Sequence, residues 1–87
     1  MPKRNAPYRP KRLAAKLLAI RQRLGLSQSK LAKLLELKGS YARISEYENG
    51  IKVPSLLVLL RYSQIAKVHM ETLVDDRVDL PRRLRPL

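Results

Sequence analysis

Residues 25–50 read GLSQSKLAKLLELKGSYARISEYENG, two short amphipathic segments separated by a turn and closed at both ends by glycine. Gly25 stops whatever helix precedes it. Ser27 is a good N-cap, because its hydroxyl can accept the backbone N–H two or three residues on. The spacing predicts a helix from there to about Leu35, with Leu31, Leu34 and Leu35 turned inward. Ala32 lies among them, small enough to let another helix approach. Ser40 is the N-cap of a second helix that ends at Asn49, and Gly50 suits the left-handed residue just past a helix end. On that second helix, Ile44 and Tyr47 share the inner face, with Glu48 at its margin. Ala42, Ser45, Glu46 and Asn49 point outward, and Tyr41 and Arg43 flank them.

The flanking sequence extends this helical reading. Leu13, Leu17, Ile20 and Leu24 recur at i, i+4, i+7 and i+11, which predicts a helix over 12–24. Pro54-Ser55 opens another, whose Leu56, Leu59, Leu60 and Ser63 share one face. A short fifth helix spans about Met70 to Asp76 and contributes Leu73 and Val74. Residues 1–11 hold three prolines and four Lys or Arg, with little to bury, and are predicted to be a flexible basic arm. Residues 77–87, with Pro81 and Pro86, read as an irregular tail. There is no internal repeat and no strand-like alternation, so the fold class is all-α: five helices over residues 12–76.

Composition narrows the function. At 87 residues the chain is one small domain without cysteine, so neither a disulfide framework nor a thiolate metal site contributes. A single histidine, His69, cannot build a zinc site of ordinary spacing, and no cofactor is expected. The core must be aliphatic, with tyrosines, since Phe and Trp are absent. The formal net charge is +12, and residues 1–23 carry eight Lys or Arg and no acid. Such a field concentrates polyanions, meaning nucleic acid or an acidic membrane surface. No run approaches the ~18–20 apolar residues of a membrane span. The basic start lacks a cleavage-site pattern, and Leu17, Ile20 and Leu24 are needed by the fold, so neither a secretion signal nor a transit peptide is read there. A cytoplasmic location is expected.

Leu17-x-x-Ile20-Arg21, Gly25-Leu26-Ser27-Gln28, Leu31-Ala32, Ile44 and Glu48-Asn49-Gly50, followed by Pro54-Ser55-Leu56-x-x-Leu59-Leu60 and Val68-x-x-x-x-Leu73, resemble the phage-repressor and Cro-type (XRE-like) helix-turn-helix family. The resemblance covers roughly residues 13–74. It implies a compact five-helix, lambda-repressor-like DNA-binding domain whose helix over 40–49 enters the major groove of double-stranded DNA. Two positions depart from the family. Glu36 stands where the turn after the second helix usually has Gly, and residues 36–39 run two longer, which assigns the permissive backbone to Gly39. Lys67 replaces a usual Gly, so the corner between the fourth and fifth helices is expected to be strained or rebuilt.

By that resemblance Tyr41, Ala42, Arg43, Ser45 and Glu46 face bases. Arg43 suits guanine O6 and N7, Glu46 a cytosine amino group, and Ala42 a thymine methyl. Ser27, Gln28, Lys30, Lys38, Asn49 and Lys52 face phosphates, the first three beside a helix start whose free N–H groups favour anions. A cation at Lys30 is unfavourable there by ~0.3–1 kcal/mol unless a phosphate is near. Arg21 and Glu48 occupy positions of an internal ion pair between the first and third helices. Tyr47 and Tyr62 read as core.

The expected partner is double-stranded DNA, bound by a homodimer as transcriptional regulators of this kind do, with Met70, Val74, Val78, Leu80 and Leu84 as the candidate apolar surface. An antitoxin or adaptor, whose main partner is a regulatory protein bound through the tail after Asp75, is the alternative class. Non-specific packing of nucleic acid also suits the charge. An enzyme does not fit, since no Gly-rich phosphate loop exists and His69 has no Ser or Cys companion at a recognisable spacing.

Overall fold

The structure, a computed structural model, describes residues 10–38 and 41–86. The arm residues 1–9 and the turn residues Gly39 and Ser40 fall outside the described residues, and with them the expected arm, the N-cap role of Ser40 and the turn role of Gly39. Five helices follow in order: α1 Leu13–Arg23, α2 Gln28–Leu34, α3 Tyr41–Glu48, α4 Leu56–Ala66 and α5 Met70–Val74. The fold is all-α, as expected. α3 packs between α1 and α2, while α5 packs between α1 and α4. Leu17, Ile20, Leu31, Leu35, Ile44, Tyr62 and Leu73 are fully buried at the centre, and Tyr47 lies with them.

Four helices end on one device. Gly25, Glu36, Gly50 and Lys67 all take left-handed backbone, with φ of 68°, 58°, 73° and 58°. The amide one residue further on then reaches back to the last turn: Leu26 to Arg21 O, Leu37 to Ala32 O, Ile51 to Glu46 O and Val68 to Ser63 O, at 2.9–3.1 Å. These bonds satisfy carbonyls that a helix end otherwise strands. Glycine takes this conformation freely, whereas a side chain adds ~1–2 kcal/mol of strain. Glu36 itself therefore supplies the permissive position that the sequence assigned to Gly39. Buried Leu37 and a bond from Arg61 to the carbonyl of Leu35 (2.9 Å) hold it there. At the α4–α5 corner Lys67 takes the left-handed backbone itself and bears the strain.

Two inward assignments are corrected. Leu34 is 44% exposed, because α2 is short and Leu31, Ala32 and Leu35 already fill the side facing α3. On α4, Leu59 and Ser63 are buried, but Leu56 and Leu60 are exposed. The inner face of α4 is instead Val58, Leu59, Tyr62, Ser63 and Ala66.

The tail is irregular but anchored. Met70, Val74, Leu80 and Leu84 pack against the core, so four of the five residues that the sequence offered to a second copy are used within the chain. A small core without Phe or Trp is completed by its own C-terminus. Polar groups fix the tail as well. The carboxylate of Asp76 accepts the backbone N–H groups of Lys11 and Arg12, both at 2.9 Å. The first turn of α1 holds no acid of its own, so Asp76 supplies the negative charge that a helix start favours. Arg12 donates to the carbonyl of Asp76 and pairs with Asp79. Lys16, only 3% exposed, gives its ammonium to three carbonyls: Thr72 (2.8 Å), Asp75 (2.9 Å) and Val78 (2.6 Å). Burial pulls the Lys16 pKa below its ordinary value, with Arg12 adding to that and Asp76, Asp79 and Asp75 opposing it.

Candidate nucleic-acid interface

α3 presents one gripped side and one open side. Ile44 and Tyr47 hold it from behind. At its C-terminal end Glu48 receives Arg21 from α1, Nε to Oε2 at 2.6 Å and Nη2 to Oε1 at 3.1 Å. Arg21 also donates to the carbonyl of Leu26 at 3.0 Å, in the turn before α2. The Glu48 carboxylate is largely shielded, with its side chain 5% exposed against 18% for Arg21. Its hydrogen bond raises the pKa of Arg21 further, against the effect of burial. Gln28 joins this cluster, its amide donating to Glu48 Oε1 at 3.2 Å. One carboxylate thus binds α1, the start of α2 and the end of α3 into a fixed relation.

Outward, Tyr41 is 59% exposed, and Ala42 and Arg43 are exposed beside it. Arg43 forms no hydrogen bond or ion pair with any described residue. Ser45 and Glu46 are half-buried. The amide of Asn49 donates back to the carbonyl and hydroxyl of Ser45, at 2.9 and 3.2 Å. Sequence spacing did not reveal that Glu46 lies 3.7 Å from Lys52. The left-handed turn at Gly50 brings that lysine back alongside α3, a relation with no helical periodicity to betray it. The two residues assigned opposite tasks on DNA therefore partly neutralise each other in the free protein.

Around the start of α2, Ser27 caps the helix by accepting the N–H of Lys30 at 3.0 Å. Its hydroxyl proton stays available as a donor. No acid occupies the first turn of α2, and Lys30 is exposed there. Lys38 is exposed in the turn before α3. Pro10 lines a small hollow together with Gly50, Lys52 and Val53, so the chain enters α1 beside the corner that carries Lys52. The cations Arg12, Lys16 and Arg61 turn out to serve the fold. The sequence reading missed this because nothing local distinguishes a lysine that will be caged from one that will be solvated.

Among the described residues no group of His, Cys, Asp or Glu is arranged to hold a metal, and no helix is long and apolar enough to cross a membrane. No curated protein and no solved structure matches the chain. The sequence model of the helix-turn-helix family does, over residues 17–73, from the middle of α1 into α5. That span is well over half of the chain and contains both α2 and α3 with the intervening turn. On these grounds the chain belongs to the helix-turn-helix family of the XRE and Cro type, a family of DNA-binding regulators.

Proposed function

We propose that the protein is a sequence-specific regulator of transcription that seats α3 in the major groove of double-stranded DNA and acts as a dimer. One observation carries this reading. α3 is clamped from behind by its apolar face and by the Arg21–Glu48 pair, while Arg43, exposed on its outer side, has no hydrogen-bond or ion-pair partner among the described residues. A helix held on one side with an exposed guanidinium on the other is prepared for a guanine edge. Tyr41, Ala42, Ser45 and Glu46 complete the base-facing set. Ser27, Gln28, Lys30 and Lys38 serve the phosphates on one flank, and Asn49 and Lys52 on the other. Glu46 then has a second task, holding Lys52 near the groove until a phosphate replaces it. The protein works in the cytoplasm, on the nucleoid when bound.

The adaptor reading receives less support. Its proposed binding segment, the tail after Asp75, is docked against α1 through Lys16 and Arg12. A selection from random duplexes tests the regulator reading directly. It is expected to return a two-fold symmetric motif with half-sites about one helical turn (~34 Å) apart. A pool with no enriched motif would refute sequence-specific binding.

A further inference from the structure

We propose that the outer face of α4, formed by Leu56, Leu57 and Leu60, is the seat of a second copy of this chain across a two-fold axis. The inference rests on the dimeric reading above and names its surface.

α4 is apolar on both sides. Val58, Leu59, Tyr62 and Ala66 face the core, yet Leu56, Leu57 and Leu60 remain 75%, 54% and 38% exposed. A helix that is apolar all round normally has both sides covered. At i, i+1 and i+4 the three leucines form one contiguous patch. Ile51 and Val53, in the segment leading into α4, are exposed too. Together these side chains leave on the order of 400 Å² of apolar surface open, a size at which a monomer's largest patch is often functional. Met70, Val74, Leu80 and Leu84 are already spent on the core.

Charge selects the occupant. The chain carries a net charge of +12, so a second copy brings the same repulsion and must approach where neither copy is charged. Residues 53–60, VPSLLVLL, hold no charged group. The nearest cations on either side are already engaged by this chain: Lys52 with Glu46 at 3.7 Å, and Arg61 with Glu36 at 3.7 Å and the carbonyl of Leu35. An acidic partner would instead be drawn to the exposed cations of α2 and α3, Lys30, Lys33 and Arg43. A leucine stripe on a helix is also self-complementary under a two-fold axis, since the same residues meet from both sides. Two patches bury on the order of 800 Å², below the size of a stable interface and in the range of weak, transient ones. The free dimer is therefore weak and is completed when two copies occupy adjacent half-sites.

The test compares the full chain with Leu57→Glu and the milder Leu57→Ser, each first checked for unchanged helix content and thermal midpoint. Sedimentation equilibrium is run over a concentration series. Binding is then measured on duplexes carrying one or two copies of the selected half-site. The wild type should self-associate, and Leu57→Glu should weaken association by about tenfold or more. Leu57→Ser should fall between. One-site affinity should be unchanged while two-site affinity falls with association. Association unaltered in both variants overturns the proposal, as does a wild type that stays monomeric both free and on two-site DNA. In either case one-site binding still reports on the DNA reading. Conversely, association lost in Leu57→Glu with no selected motif supports the face and refutes the regulator.

Discussion

Replacing Lys16 by Met keeps the aliphatic stem and removes only the ammonium, so its effect on stability can be worked from the structure. Buried charges are often replaced by apolar residues at no net cost, provided both partners of an ion pair change together. Here the partners are backbone carbonyls, which no substitution removes. Asp75 O keeps a second bond, from the amide of Val78 at 3.0 Å. Among the described residues, Lys16 alone is seen to donate to Thr72 O and Val78 O. Each stranded acceptor costs ~1–3 kcal/mol, a range of roughly 2–6 for the two. Relief of the buried ammonium offsets part of that, and a loss of about 3 kcal/mol is expected. A domain of this size is stable by roughly 4–13 kcal/mol, so the change takes a large share and lowers the melting temperature by about 10–20 °C. Urea unfolding followed by circular dichroism measures it. Hydrogen exchange adds a second readout, because amides in residues 76–80 should lose protection first. A Lys16→Met variant within 0.5 kcal/mol of the wild type, the scatter of ordinary surface changes, would show that the three bonds do not hold the tail.

Other outcomes follow from the same geometry. The hydroxyl of Tyr62 is fully buried with no hydrogen-bond partner among the described residues, and burial raises its pKa. Tyr62→Phe should therefore stabilise the protein by about 1 kcal/mol in urea, and a loss of that size would mean the hydroxyl is bonded. On DNA, Lys52→Ala should weaken binding alike to every sequence. Arg43→Ala should cost ~1–3 kcal/mol on the best site and relax preference at one base pair, read by competition with single-base variants. Bonds from Arg77 hold the Asp75 carboxyl down to about 2, and Arg12 lowers that of Asp79. Both values lie below those of the unfolded chain. Their contribution is thus present above about pH 4 and is lost as pH falls toward 2. Urea midpoints should drop across that window, and less steeply in Asp79→Asn; identical profiles would remove this carboxylate from the account.

Helix order and type were legible because apolar periodicity and stop signals agree. Leu13, Leu17 and Ile20, the caps Ser27 and Ser55, and the glycines at 25 and 50 each point to the element that forms. The left-handed stops at Glu36 and Lys67 were harder. The residue type argues against them, and burial of Leu37 and of the α4 core overrides that local preference. Leu34 and Leu56 show the limit of periodicity, which tells which residues share a face but not whether anything covers it. The site's outer residues could be read from helical spacing. The Glu46–Lys52 contact depends on the angle of a turn and could not. Lys16 illustrates the largest gap. In sequence it interrupts an apolar run, while in the fold it joins the first helix to a segment some sixty residues away.

That long-range cage changes how the net charge should be understood. Arg12, Lys16, Arg21, Arg23, Arg61, Lys67 and Arg77 all donate to carbonyls or carboxylates of the chain itself. Seven of the nineteen Lys and Arg are therefore tied to the fold. The cations proposed to meet phosphates or bases reduce to Lys30, Lys38, Arg43 and Lys52. Three of these, Lys30, Lys38 and Lys52, are assigned to phosphates; each phosphate neutralised lowers log K by ~0.9 per decade of salt, so one copy on a half-site should show a slope of roughly −3. Bulk electrostatic packing would engage most of the nineteen Lys and Arg and give a far steeper line. Titrating one-site binding against salt separates the two. A slope beyond about −10 per copy would mean that charge in bulk, and not the surface built on α2 and α3, carries the protein to DNA.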